Sequence, residues 1–232
     1  MRKSSLAAIL LFSLPFLVPA RIGAQLDIAI SGYGAFQQVT SGPGFVVSPA
    51  NQAGASIEVR RIVHPWLGYE GFYAFNRANQ SYSTVTYAVC GVCVISTSWT
   101  PVPVDAHEIA GAWVAALKIA HLRSFALAGA GVLLHQPVTS QATTTTVVTG
   151  CGGGNPYCTP GQVTTSTTHT TASTKAVFVY GAGLDWAVVP HLGLRLQYRG
   201  NVYQSSNLVA AFSSASNFTH TAEPMIGAYF RF

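Results

Sequence analysis

From residue 25 onward, apolar positions recur every second residue, the mark of strands with one greasy and one polar face. The pattern is clearest over 192–203, where Leu192, Leu194, Leu196, Tyr198 and Val202 alternate with Arg195, Gln197, Arg199 and Asn201. It divides the chain into eight segments: 26–38, 53–63, 67–77, 104–118, 124–135, 174–188, 192–203 and 217–232. Each reaches the length of a tilted strand that crosses a bilayer, about 9 to 11 residues. The connections alternate long and short. His64-Pro65-Trp66, the stretch Ile119 to Arg123, and Val189-Pro190-His191 are short, and the others are long and rich in Ser, Thr, Asn, Gly and Pro.

Alternation alone fits two folds. In a soluble secreted β-sandwich or a lipocalin-like binder the apolar face is the core, whereas in a membrane barrel it faces lipid and the polar face fills the lumen. Composition separates them. Only 8% of the 232 residues are charged, against roughly 25% in soluble domains. Arg2 and Lys3 precede an apolar run from Leu6 to Val18, followed by Ile22-Gly23-Ala24, so residues 1–24 read as a cleaved signal peptide. That run falls short of the roughly 18 to 20 residues of a helical span, and no later stretch supplies one. With every backbone donor and acceptor needing a partner inside lipid, a closed barrel is the remaining way across. The expected fold is an all-β, eight-stranded antiparallel up-and-down transmembrane barrel over 25–232, with long external loops, short periplasmic turns and both termini on the periplasmic side.

Without Arg2, Lys3 and Arg21 the chain keeps 9 of its 12 Lys and Arg residues against 7 Asp and Glu, a net charge of +2. No basic face for nucleic acid is present. Centring one hairpin on Pro65 pairs Ile57 with Tyr73, Val59 with Gly71, Val63 with Leu67, and Arg60 with Glu70. Centring another on Pro190 pairs Trp186 with Leu194, Leu184 with Leu196, and Asp185 with Arg195. The same parity sends Asp27, Glu58, Glu70, Glu108, Asp185 and Glu223 inward, opposite Arg60, Arg195, Arg199 and Arg231. Eight strands enclose just enough room for side chains, so the lumen is expected to be plugged, with Asp27 and Arg231 bridging the first and last strands. General acid and base work by Glu58 and Glu223 is the sharper reading of these carboxylates, and structural ion pairing is the plainer one. Trp66, Tyr69, Phe125, Trp186, Phe230 and Phe232 are assigned to a periplasmic aromatic belt, and Phe178 and Tyr203 to the outer one. Arg61 is turned toward lipid, near enough to the turn to snorkel.

Four cysteines in an exported chain read as disulfides. Cys90 and Cys93 lie in one long connection, Cys151 and Cys158 in another, and pairing between the two connections stays open. The arms around the second pair, 143–149 and 162–171, are threonine and valine rich and predict a projecting hairpin. Zinc at Cys90 and Cys93 lacks a second pair of suitable spacing. Neither a metal site nor a cofactor is expected from the seven scattered histidines or from Gly129-Ala-Gly131 and Gly181-Ala-Gly183, which read as small residues easing strand packing.

The final segment, His220-Thr-Ala-Glu-Pro-Met-Ile-Gly-Ala-Tyr-Phe-Arg-Phe232, resembles the last strand of outer-membrane barrel proteins, with Phe232, Phe230, Ala228 and Ile226 at the alternating positions. Val179 to Trp186 with Pro190 to Arg195 resembles hairpins of small OmpA-like and OmpX-like barrels. The resemblance implies outer-membrane lipid as the surroundings, reading of Phe230 and Phe232 by the barrel-assembly machinery, and an extracellular partner meeting the loops. It also implies a non-enzymatic structural or surface-interaction role; with the sequence stopping at Phe232, no peptidoglycan-binding domain is expected after the barrel. Lipid A deacylases of this shape carry a His-x-Ser motif where this chain reads Tyr198-Arg-Gly-Asn-Val-Tyr-Gln-Ser205, without the histidine. A small-solute channel is the alternative role.

Overall fold

The computed structural model describes residues 25–42, 45–87, 94–99, 101–150, 163–205, 208 and 217–232. Residues 1–24, expected to be a signal peptide, and all four cysteines with their expected disulfides lie outside the described residues. Thirteen strands follow one another: β1 (Gln25–Gln37), β2 (Thr40–Gly42), β3 (Phe45–Pro49), β4 (Gln52–His64), β5 (Leu67–Tyr87), β6 (Val94–Trp99), β7 (Val102–Ile119), β8 (Leu122–Pro137), β9 (Gln141–Gly150), β10 (Val163–His169), β11 (Ser173–Val189), β12 (Leu192–Gln204) and β13 (Phe218–Arg231).

Eight of them close a ring of antiparallel neighbours, β1–β4–β5–β7–β8–β11–β12–β13 and back to β1. Closure leaves no unpaired edge along the wall, which is what a sheet surrounded by hydrocarbon requires. The final strand returns to the first with Asp27 opposite Arg231 and Ile30 opposite Ala228. The hairpin registers place Arg60 against Glu70 and Ile57 against Tyr73, and Asp185 against Arg195 and Trp186 against Leu194. One pairing read from the sequence slips: a bulge between Ile62 and His64 sets His64, not Val63, opposite Leu67. A similar irregularity lies between Ala187 and Val189. Both adjoin a turn, where an extra residue lets a strongly twisted pair reverse.

Inside and outside are unlike. Ile30, Ile57, Ile109, Trp113, Leu117, Phe178, Leu184, Trp186, Leu194, Leu196, Ile226 and Phe230 are all exposed on the outer wall. This belt runs around the whole ring, far beyond the few hundred Å² of contiguous apolar surface that a soluble monomer tolerates. The charged side chains point the other way, and Glu58, Arg60, Asp185 and Arg199 are each 0% exposed. The sandwich and lipocalin-like readings fail on this point, since both put the apolar face in the core. The belts also need correction. Phe125 and Tyr203 share the inward parity of Arg123 and Asn201 and are buried in the lumen. Tyr69 stays on the wall but is covered by Arg61, whose Nη1 donates to its hydroxyl at 3.3 Å, and by the edge of Trp113. Arg61 thus finds a phenol oxygen on the wall instead of depending on headgroups alone.

Beyond the barrel rim at the long-connection end, the strands continue as a second sheet that the eightfold pattern does not contain. The end of β5 pairs with β3 on one side and with β6 on the other; β6 pairs β9, and β9 pairs β10. Val147 faces Val163 and Thr143 faces Thr167 across the projecting hairpin. Hydroxyl pairs Thr97–Thr146 and Thr144–Thr168, both at 3.2 Å, stitch its threonine faces together. A separate apolar cluster of Val47, Tyr82, Trp99, Val102, Val104, Ala142 and Leu208 anchors this sheet to the rim.

The turn joining β7 and β8 holds Ala120 at φ 53°, the left-handed region in which a Cβ crowds its own backbone. Ala120→Gly is expected to raise stability by about 0.5 to 1 kcal/mol, because relief of that crowding outweighs the added freedom of the unfolded glycine. Urea unfolding of the folded protein in bilayers measures the change.

Candidate functional site in the filled lumen

Period-two alternation makes every second residue of eight strands a lumen residue, and the register fixes their heights. Nearest the short turns, Arg123 Nη2 donates to both Asp27 and Asp185, the latter at 2.6 Å, while Arg231 Nε donates to Asp27 at 3.1 Å. Asp185 is the hub: Arg60 Nη1 reaches its Oδ2 at 3.2 Å and Arg195 Nε its Oδ1 at 2.8 Å. Above it, Arg60 Nε donates to Glu70 Oε2 at 2.5 Å and Arg195 Nη1 to Glu58 Oε2 at 2.6 Å. Ser56 supplies Glu58 with a further donor at 3.1 Å. Four carboxylates, Asp27, Glu58, Glu70 and Asp185, therefore meet four guanidinium groups, Arg60, Arg123, Arg195 and Arg231. The layer is neutral as a whole, which is what makes burying so many charges tolerable.

Aromatic rings separate and cover these ions. Phe125 lies between two guanidinium carbons, Arg60 at 3.8 Å and Arg195 at 5.4 Å from its ring centre. Tyr229 faces Arg231 at 5.2 Å and Arg195 at 5.7 Å, and Phe72 faces Arg199 at 4.2 Å. Cations over desolvated ring faces gain about 2 kcal/mol or more. The rings fit because glycine stands beneath them: a Cβ at Gly183 would sit 2.5 Å from the Phe125 ring, and one at Gly193 would sit 2.4 Å from that of Tyr229.

A second, smaller cluster lies above. Arg199 Nη2 is 2.6 Å from Glu223 Oε2 and 3.8 Å from Glu108 Oε2. Asn201 Nδ2 donates to both acids, at 2.9 Å to Glu108 and 3.1 Å to Glu223. Over this floor opens a vestibule of about 450 Å³, counted with the space open to solvent, whose walls include Tyr33, Gln52, His135, Tyr203 and Thr221.

The structure thus brings together Asp27, Glu58, Arg60, Glu70, Asp185, Arg195 and Arg231 in one layer and Glu108, Arg199 and Glu223 in the other. Glu58 and Glu223, weighed as an acid and base pair, fall in different layers, each with its own arginine. The seventh acid, Asp105, faces outward and holds the guanidinium of Arg77. Arg123, which the sequence pattern puts in a short turn, is a charged lumen residue that joins this layer. The signal was available: Arg123, Phe125 and Leu127 keep one parity, opposite to that of Leu122 and Ser124. Phe230 and Phe232 stand on the outer wall at the end of β13, with ring centres 4.9 Å apart. Among the described residues, no three His, Cys, Asp or Glu side chains are grouped as a metal site would require.

No family model matches the chain, and no curated protein matches it. Among solved structures it is similar to Ail, the attachment invasion locus protein of Yersinia pestis, in complex with the heparin analogue sucrose octasulfate, at 16% identity over 91% of this chain and 100% of that one, with a TM-score of 0.46. It is similar to Neisserial surface protein A at 14% identity over 91% and 100%, with a TM-score of 0.44. For the outer membrane protein OprG from Pseudomonas aeruginosa the identity is 8% over 91% and 97%, with a TM-score of 0.46. Likeness at this level assigns no role to this chain.

Because three arginines converge on Asp185, Asp185→Asn leaves the lower layer with an uncompensated buried cation. A loss of about 3 to 5 kcal/mol is expected. Replacing the exposed Arg77 with Ala should leave stability nearly unchanged, since ion pairs open to water contribute little. Urea titrations of the folded variants in bilayers compare the two.

Proposed function

We propose that this chain is an integral, non-enzymatic outer-membrane barrel whose lumen is closed by its own side chains and whose surface role belongs to the sheet beyond the rim. The observation that carries this reading is the pairing of a continuous apolar belt on the outer wall with a neutral, largely buried layer of four acids and four arginines across the lumen. Asp185 is held by three guanidinium groups and Asp27 by two, so structural ion pairing accounts for these carboxylates, and in this reading the layer holds the wall together. In this reading residues 1–24 direct export, Phe230 and Phe232 present the end of β13 to the assembly machinery, and disulfides among Cys90, Cys93, Cys151 and Cys158 tie down the external connections. Outer-membrane lipid is the constant partner. An extracellular partner would meet the threonine-rich hairpin of β9 and β10, which ends the outer sheet and exposes most of β10.

The vestibule favours a second reading, a small-solute channel, because it already carries water-accessible volume partway down the lumen. The lower layer stands in the way of that path. On an unheated gel the folded protein is expected to run as a compact band that shifts on boiling; a protein that stays in solution without detergent and shows no shift contradicts membrane residence. Liposomes carrying the pure protein are expected to release no entrapped small solute above background, and solute flux through the unaltered protein favours the channel.

A further inference from the structure

The vestibule floor is unbalanced. Glu108 and Glu223 share one arginine, Arg199, so with both carboxylates ionised this upper cluster carries one negative charge more than it neutralises, in contrast to the evenly matched layer beneath. Arg199 Nη1 and Nη2 also lack a hydrogen-bond partner among the described residues, Nη2 while ion-paired to Glu223, but Arg199 does not line the cavity, and the unused atoms that do line it are of one kind. Glu108 Oε1 and Asn201 Oδ1, on side chains 3% and 2% exposed, have no hydrogen-bond partner among the described residues, nor does Gln52 Oε1. The three residues line the same cavity, and all three atoms are acceptors. The amide of Asn201 cannot be turned to supply a donor, because its Nδ2 is already committed to both carboxylates.

We infer that the vestibule is a binding site for a small organic cation bearing N–H donors, a primary ammonium group, held by Glu108 Oε1, Asn201 Oδ1 and Gln52 Oε1. Buried acceptors without donors are costly, and an acid cluster with excess charge selects a cation over a neutral donor. The ring of Tyr33, 5.5 Å from the Arg199 guanidinium carbon, adds an aromatic face to the same wall. Other charged and titratable groups near the space are His135, its ring tilted against that of Tyr203 with centroids 5.9 Å apart, and Lys175. Lys175 lies on β11 with inward parity, half-buried, across Leu133 from Glu108.

The test uses the full folded chain in uncharged detergent, titrated at constant ionic strength with methylammonium chloride, tetramethylammonium chloride or potassium chloride while the thermal midpoint of the folded state is recorded. Methylammonium should raise the midpoint saturably. Tetramethylammonium, which has the charge but no N–H, and potassium should not. Glu108→Gln should weaken the methylammonium response by about tenfold or more, as expected for loss of a charge-assisted hydrogen bond. If that variant does not fold, the contrast between the salts on the unaltered protein decides. Equal responses to all three salts, a full response in folded Glu108→Gln, or no response at all, as would follow if the Lys175 ammonium already serves these acceptors, each overturns the inference.

Discussion

Hydrocarbon offers no hydrogen bonds, and the rest of this molecule follows from that constraint. A wall of strands in such a medium is stable only when every backbone donor and acceptor is used within the sheet, so the sheet must close. Closure with eight strands leaves an interior too narrow for free water and too wide to stay empty. Because side chains alternate along every strand, the residues that fill it are the polar half of the same pattern that makes the outer wall apolar. Paired ions, aromatic faces over guanidinium groups, and glycines beneath the rings are the means by which that polar half is packed, in the lower layer without leaving net charge behind.

The lower layer shows why arginine, not lysine, does this work. Each planar guanidinium offers several donors in a fixed fork, so one group joins two or three carboxylates from different strands and keeps a face for an aromatic ring. Arg60 touches β5 and β11 from β4, and Arg195 reaches β4 from β12. Such ties cross the lumen and couple opposite walls, in addition to the hydrogen bonds between neighbours. The upper cluster, with one arginine for two acids, lacks that balance and borders the vestibule.

Much of this was legible in the chain. The eight wall strands, the short turns and the inward parity of the acids all follow from period-two patterning, since a strand with one face in lipid cannot slip by a residue without turning charge outward. What was not legible has physical reasons. The continuation of β5 to Tyr87 and its pairing with β3 and β6 depend on contacts between threonine and valine stretches that alternate no polar and apolar faces. Arg123 hid beside a turn, where a charge is ordinarily read as solvated. Phe125 and Tyr203 were misplaced because an aromatic at the end of a strand fits a belt as well as a lumen, and only parity separates the two. The orphaned acceptors of Glu108 and Asn201 depend on side-chain geometry and leave no trace in composition.

The claim on which the account rests is the direction of the two faces, and single-tryptophan variants in bilayers with brominated acyl chains test it directly. Tryptophan at Leu196, Ile226 or Ile109, in a background whose own tryptophans are replaced, is expected to be strongly quenched, while tryptophan in place of Phe125 is expected to keep its fluorescence. Quenching at position 125 as strong as that at 196 would contradict the account.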